Sequence, residues 1–214
     1  MLTPRTPSYR VVVAGAELRM LVLAAEPRGC IGVDLDCGAF VWASHPIGAQ
    51  LPAPLDVISG EIAGAADPPD AARPEALELA AAPRRLGRMP LRRAERLLAP
   101  LKHPPRLPLL GLAANAVPYW TLTGESPSLA LVELRQNPRL RWGGAGLECH
   151  FVWQGTAHEL PVVNRRLVDQ VERSRGGNLE RLLGYRPRRL LVMLTAPQDG
   201  YCHKAVGAIL PTLR

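Results

Sequence analysis

A chain of 214 residues, 47% of them hydrophobic, can bury a core without disulfide support, as one large domain or two small ones. Its longest apolar runs are strand-sized, and the N-terminus does not have the features of a signal peptide, so we predict a cytoplasmic protein that does not insert into membranes. The net charge is +7, and 24 of the 26 basic residues are arginine, a bias typical of a bacterial genome rich in GC.

The first part of the chain is rich in β-forming residues. Residues 1–8 are predicted to form a disordered tail. The short apolar runs of residues 9–44 are separated by turn residues and indicate an antiparallel meander. Residues 54–63 predict a further strand, whereas residues 74–82 begin with proline and predict a helix.

One sequence motif occurs twice, at residues 35–42 and, one residue shorter, at residues 147–153. Each copy has leucine, a carboxylate and cysteine, then phenylalanine, valine and tryptophan. Alternate residues of a strand share a face, so the second copy directs four of these side chains to one side. A β-bulge at Gly38 would give the first copy the same face. We therefore predict an internal duplication whose shared core face comprises Leu35, Cys37, Phe40, Trp42, Leu147, Cys149, Phe151 and Trp153.

A second matching pair consists of Glu-Arg-Leu-Leu at residues 95–98 and at residues 180–183, each followed by a segment that predicts an apolar strand, at residues 105–110 and 187–191. The spacing between the two motifs is longer in the first half, which indicates an insertion at about residues 48–90. We predict a first repeat at residues 9–118 and a second at residues 119–214, packed as one globular unit. The predicted fold is α+β, with an antiparallel barrel-like or curved sheet built from two pseudo-symmetric repeats, short peripheral helices and a helical insertion in the first repeat.

Elements of the second half are predicted from local sequence. Residues 129–134, 139–142 and 159–163 have the composition of strands. Asn164 is a typical N-cap for a helix that ends near Arg173. Asp-Gly at residues 199–200 favours a tight hairpin turn.

Positive charge concentrates at residues 84–106, where eight basic residues accompany one acid, Glu95, for a net charge of +7. Pro90 begins a predicted helix with leucines on one side and arginines on the other. Exposed guanidinium groups suit phosphates, which dominate non-specific nucleic-acid affinity. We predict a non-enzymatic binding protein that contacts nucleic acid or a nucleoprotein assembly through Arg84, Arg85, Arg88, Arg92, Arg93, Arg96, Lys102 and Arg106. The competing interpretation is a solvated helix face whose arginines pair with Glu75 and Glu78.

Two alternatives remain open. The first is a small-molecule or metal-binding enzyme with a site between the repeats, lined by His45, Tyr119, His158, Tyr201 and His203. Cys37, His45, Cys149 and His158 would supply a Cys2His2 set, but no two cysteines have the close spacing typical of zinc sites, so neither a metal nor a cofactor is predicted. The second is a protein–protein scaffold that binds its partner through the Pro- and Ala-rich insertion.

Two shorter motifs suggest chemistry. Ile-Gly-Val-Asp-Leu-Asp at residues 31–36 resembles the first strand of ribonuclease-H-like and actin-like ATP-binding folds, which implies a metal at Asp34 and Asp36. Cys202, beside a histidine and a lysine, would suit an activated thiolate, although a hairpin explains that stretch equally well. The sequence contains no G-x-S-x-G, Walker A or dinucleotide glycine motif, which argues against nucleotide-dependent enzymes.

Overall fold

The protein is described here from a computed structural model, over residues 12–26, 29–46, 51–66, 70–174 and 179–212. The chain divides into two compact units, Met1–Met89 and Pro90–Arg214, which we call unit 1 and unit 2. The predicted tail at residues 1–8 lies outside the described residues, as does the start of the run that begins at Tyr9.

Unit 1 is a closed five-stranded barrel. Strands β1, β2 and β3 form an antiparallel meander, β3 pairs in parallel with β5, and β4 returns to pair with β1 and close the barrel. Strand β6 extends the sheet from β4. This Greek-key order is that of the OB barrel. The strands are β1 (Glu17–Glu26), β2 (Gly29–Asp34), β3 (Phe40–Ser44), β4 (Asp56–Ala65), β5 (Ala76–Leu79) and β6 (Arg84–Arg88).

The barrel interior is filled by alternate residues of its strands. Leu18, Met20 and Val22 of β1 pack with apolar residues of β2, β3, β4 and β5 in one buried cluster. The register of β1 against β2 shifts between Val22 and Ala24. Such a bulge bends a strand and increases its twist, which helps a short sheet to close on itself.

Unit 2 contains two antiparallel sheets. One has the strand order β7-β13-β12-β8 and the other the order β11-β10-β9. An isolated bridge between Val162 and Val206 connects the end of β11 to β13. The strands are β7 (Ala116–Pro118), β8 (Leu129–Glu133), β9 (Arg139–Gly143), β10 (Gly146–Trp153), β11 (Thr156–Pro161), β12 (Arg189–Leu194) and β13 (Tyr201–Leu210).

Three short α-helices belong to the described part of unit 2: α1 (Leu91–Leu98), α2 (Arg165–Arg173) and α3 (Leu179–Leu183). The N-cap residue of α2, Asn164, makes two side-chain hydrogen bonds. Asn164 Oδ1 accepts a hydrogen bond from the Leu167 N–H at 2.9 Å, and the Asn164 amide donates to the Gly207 carbonyl on β13, also at 2.9 Å. The predicted N-cap is therefore confirmed.

The coarse prediction of an α+β, barrel-like protein with few short helices is confirmed, and three finer predictions are wrong. Residues 74–82 contain strand β5 instead of a helix, because Leu77 and Leu79 point into the barrel and β5 pairs with β3. In the described part of residues 48–90 there is no helix, and β4 is integral to the barrel, so the predicted helical insertion is sheet. Residues 105–110 form no strand, and a 3-10 turn occupies Leu109–Gly111 instead.

The two copies of the repeated motif adopt different structures. In the second copy Leu147, Cys149, Phe151 and Trp153 are all buried on one face of β10, as predicted. In the first copy residues 35–37 form the turn between β2 and β3, so the predicted β-bulge is wrong. Trp42 is buried, Leu35 and Phe40 are half-buried, and Cys37 is exposed instead of core. Pseudo-symmetry of the two halves stays a prediction.

Candidate nucleic-acid interface

Helix α1 is attached to unit 2 by its apolar side and by one buried ion pair. Ala94 and Leu98 are buried. Arg189, on β12, is 1% exposed and its Nη2 donates to Glu95 Oε2 at 2.7 Å. The only acid of the predicted basic segment is thus held on the inner side of the helix by a buried arginine. Glu95 therefore does not neutralise the outer side.

The outer side of α1 carries Arg92, Arg93 and Arg96. All three are exposed, and none forms an ion pair with a residue that the structure describes. Arg92 and Arg93 lie in the first turn, where the helix dipole favours acidic residues and disfavours basic ones. The first turn of α1 contains no acidic residue. Local helix stability thus does not explain these arginines.

The other predicted contact residues divide between the two units. Arg84 and Arg88 are exposed on β6 of unit 1, and Arg106 is exposed in unit 2. Two members are compensated: Arg85 Nε lies 2.9 Å from Asp56 Oδ2, and Lys102 contacts Glu133. The pairing predicted for the competing interpretation is therefore found for Arg85, but with Asp56 instead of Glu75 or Glu78.

Charge is distributed very unevenly between the units. Unit 1 has 8 basic and 10 acidic residues, a net charge of −2, whereas unit 2 has 18 basic and 9 acidic residues, a net charge of +9. The sequence alone did not show this division, because the basic segment crosses the boundary between the units. Further exposed arginines of unit 2 without an ion pair to any described residue are Arg135, Arg139, Arg141, Arg165, Arg166 and Arg181.

Three of the five predicted pocket residues share one corner of unit 2. The Tyr119 N–H donates to the Gly200 carbonyl at 2.8 Å, and Tyr201 and His203 lie on the same face of β13. His158 lies on β11, where its ring stacks on Phe151 with centroids 5.2 Å apart. His45 is buried in unit 1, with Nδ1 3.0 Å from the Pro46 carbonyl and Nε2 3.9 Å from Cys30 Sγ.

The three buried cysteines do not have the properties of reactive thiols or metal ligands. Burial raises the pKa of Cys30 and of Cys149 to about 12, so both are neutral at physiological pH. Cys202 is fully buried, so the prediction of an exposed, activated thiolate is wrong. Over the described residues, no three His, Cys, Asp or Glu side chains are grouped closely enough to hold a metal ion.

Asp34 organises the turn between β2 and β3. It is fully buried, its Oδ1 accepts from the Asp36 N–H at 2.8 Å, and its Oδ2 accepts from Cys37 Sγ at 3.3 Å. Asp36 instead pairs with Arg19 at 2.6 Å. The resemblance to ribonuclease-H-like and actin-like folds does not extend to the architecture, because β2 is a strand of a closed barrel and no helix lies between the described strands of unit 1.

A buried basic cluster on unit 2 was missed in the sequence. The Lys204 Nζ donates to the Leu112 carbonyl at 2.6 Å, and burial lowers the pKa of this lysine. His103 Nε2 accepts from the Leu110 N–H at 3.1 Å while Nδ1 donates to the Pro104 carbonyl at 3.0 Å, an arrangement that requires the neutral ring. Burial and the charge of Lys204 lower the pKa of His103. Both side chains therefore fix residues 103–112.

The OB-type topology of unit 1 does not by itself indicate a ligand surface. OB barrels bind oligonucleotides on the outer side of strands β2 and β3. Here that side carries Ile31, Val33 and Trp42, all buried, and Arg73 stacks on Trp42 at 3.8 Å from the ring centroid. Fold and function are separable, so the exposed arginines of α1 are the better candidate.

No protein-family model, curated protein or solved structure matches the chain. Among the described residues, no helix is both long enough and apolar enough to cross a bilayer.

Proposed function

We propose that the protein is a non-enzymatic nucleic-acid-binding protein, and that unit 2 contacts phosphates through the arginine face of α1. The observation that carries the proposal is the position of Glu95. Its carboxylate pairs with the buried Arg189, so Arg92, Arg93 and Arg96 remain exposed and uncompensated by described residues.

The charge of unit 2 supports the same conclusion. A net charge of +9 on one unit attracts polyanions and raises their association rate. Exposed arginines that release counterions from phosphates supply most of the non-specific affinity for nucleic acid.

Charge reversal on α1 tests the proposal. In the variant Arg92→Glu, Arg93→Glu, Arg96→Glu, we expect affinity for a labelled oligonucleotide at low salt to fall more than about tenfold, because three phosphate contacts are lost. Fluorescence anisotropy measures the affinity. The matched control is Arg84→Glu, Arg88→Glu, which reverses two exposed arginines of unit 1 that form no ion pair with a described residue. We expect the control to bind within about threefold of wild type.

Two outcomes would overturn the proposal. One is that wild-type protein does not bind RNA or DNA at low salt. The other is that the α1 variant and the unit 1 control lose affinity equally, which would show that only overall charge matters. Circular dichroism and urea unfolding of each variant separate loss of binding from loss of folding.

A further inference from the structure

The exposed aromatic side chains of unit 2 bear on which class of nucleic acid, single-stranded or duplex, this unit would bind. Trp120 is 70% exposed, Trp142 is 55% exposed and Tyr201 is 42% exposed, whereas the tryptophans Trp42 and Trp153 are buried. Single exposed apolar residues are common on protein surfaces. Here, however, the described exposed aromatics fall in the same unit as the excess positive charge.

Trp120 is held in place despite its exposure. Its ring lies over Gly200, where an added Cβ would stand 3.0 Å from Trp120 Cζ3. It also contacts the Tyr201 ring edge to face, with centroids 5.8 Å apart and an angle of 67° between the planes. A pre-positioned aromatic ring loses little conformational entropy when a planar ligand stacks on it.

Trp142 alternates with exposed arginines along an edge strand. Strand β9 pairs with β10 and with no other described strand. Arg139 and Arg141 occupy one face of β9, Trp142 occupies the other, and two glycines follow. Neither arginine forms an ion pair with a described residue. The Trp142 ring is therefore accessible on one face of this short edge strand and the two guanidinium groups on the other, where Glu148 of β10 is the cross-strand neighbour of Arg141.

We infer that unit 2 binds single-stranded nucleic acid, with bases stacked on Trp120 and Trp142 and phosphates at Arg139 and Arg141. This inference rests on the proposed function, since it assumes that unit 2 binds nucleic acid. Proteins that bind single strands without sequence preference combine a positively charged surface with aromatic rings on which successive bases stack. A duplex keeps its bases stacked internally and offers only phosphates to such a surface.

The test compares a single-stranded oligonucleotide with a duplex of the same length by fluorescence anisotropy. We expect wild-type protein to prefer the single strand. Trp120→Ala and Trp142→Ala should each weaken single-strand binding by roughly fivefold or more, the loss associated with one stacked base, and leave duplex binding unchanged. The control is Val152→Ala, which truncates an apolar side chain that is 54% exposed on β10.

The outcomes separate the inference from the proposed function. If duplex and single strand bind equally and both tryptophan variants match Val152→Ala, single-strand stacking is wrong although nucleic-acid binding stands. If neither form binds, both proposals are wrong. If Trp142→Ala instead abolishes self-association measured by sedimentation, this surface joins copies of the chain and the inference is overturned. Quenching of tryptophan fluorescence by the single strand, lost in the double variant, would support stacking directly.

Discussion

The two units differ in net charge and in where their structural carboxylates lie. In unit 1 carboxylates are structural: Asp34 holds a turn, and Asp56 accepts hydrogen bonds from Arg85 and from the Ala53 N–H. In unit 2 cations outnumber acids two to one, and the acid most relevant to α1 is held by a buried arginine. In unit 1 Arg19 and Arg85 are paired with carboxylates, whereas the exposed arginines of α1 in unit 2 have no acidic partner among the described residues.

This difference distinguishes a basic composition from a basic surface. A count of arginines along the sequence treats Arg85 and Arg93 alike. The structure shows that Arg85 is paired with a buried carboxylate, while Arg93 has no acidic partner among the described residues. Only residues of the second kind contribute fully to attraction of phosphates.

The largest expected effect comes from the buried ion pair of unit 2. Glu95→Ala removes the nearer carboxylate from the buried guanidinium of Arg189 and leaves it the more exposed carboxylate of Glu133, 3.9 Å away, so we expect the free energy of unfolding to fall by about 3 kcal/mol. Urea unfolding at neutral pH measures it. The matched control is Glu180→Ala in the second Glu-Arg-Leu-Leu copy, where the carboxylate lies 3.6 Å from the exposed Arg186.

For Glu180→Ala we expect a loss below about 1 kcal/mol, since exposed ion pairs contribute little. Equal losses for the two glutamates would contradict the assignment of Glu95 as an internal residue. Its carboxylate would then be available to neutralise the arginine face.

The next effect concerns the structural carboxylates of unit 1. Asp34→Ala removes the acceptor of two hydrogen bonds in the turn between β2 and β3, and we expect it to reduce the free energy of unfolding by about 2 kcal/mol. Asp36→Ala, two residues away, removes only an exposed contact with Arg19 and should leave the urea midpoint close to that of wild type. If Asp36→Ala were the more damaging change, Asp34 would not be the organising residue.

The smallest expected effect is a difference in the response to acid. Burial and the charge of Lys204 hold the pKa of His103 below 6.5, so the unfolded chain takes up its proton first and stability falls as the pH drops below about 6.5.

Burial opposes ionisation of Asp56, but hydrogen bonds from Arg85 and Ala53 outweigh it and lower the pKa of Asp56 below 3.8. The stability that Asp56 contributes is therefore fully present above pH 3.8, and it is lost as the pH falls through the pKa of Asp56 in the folded protein.

Urea midpoints measured from pH 8 to pH 3 test both assignments. His103→Gln should reduce the fall in the urea midpoint just below pH 6.5, and Asp56→Asn should reduce the fall in the urea midpoint below pH 4. A profile for His103→Gln that parallels wild type across the upper window would show that His103 does not titrate in the way its hydrogen bonds imply.

Local signals in the sequence predicted local structure well. Asn164 caps α2, and the turn at Asp199 and Gly200 has positive φ at both residues, as an Asp-Gly hairpin requires. The arginine and leucine sides of α1 followed from spacing alone. Helix α1 was thus available from sequence, but the state of its acid was not.

Long-range pairings accounted for the errors. Strand β5 was predicted as a helix because its pairing with β3 joins residues more than thirty positions apart, such as Ala43 and Leu77. The partner of Glu95 is Arg189, 94 residues further along the chain. The first copy of the repeated motif was assigned to a strand, although Gly38, at φ +73°, ends a turn there. No periodicity in the sequence encodes such contacts.

The salt dependence of binding tests most directly whether the arginines of α1 contact phosphates. The variant Arg92→Gln, Arg93→Gln, Arg96→Gln removes three charges without adding any, and Arg84→Gln, Arg88→Gln is the control in unit 1. If α1 contacts phosphates, the slope of log K against log salt concentration becomes shallower by roughly 2 to 3 in the α1 variant and stays at the wild-type value in the control. Identical slopes for wild type and the α1 variant would contradict the proposed role of this helix.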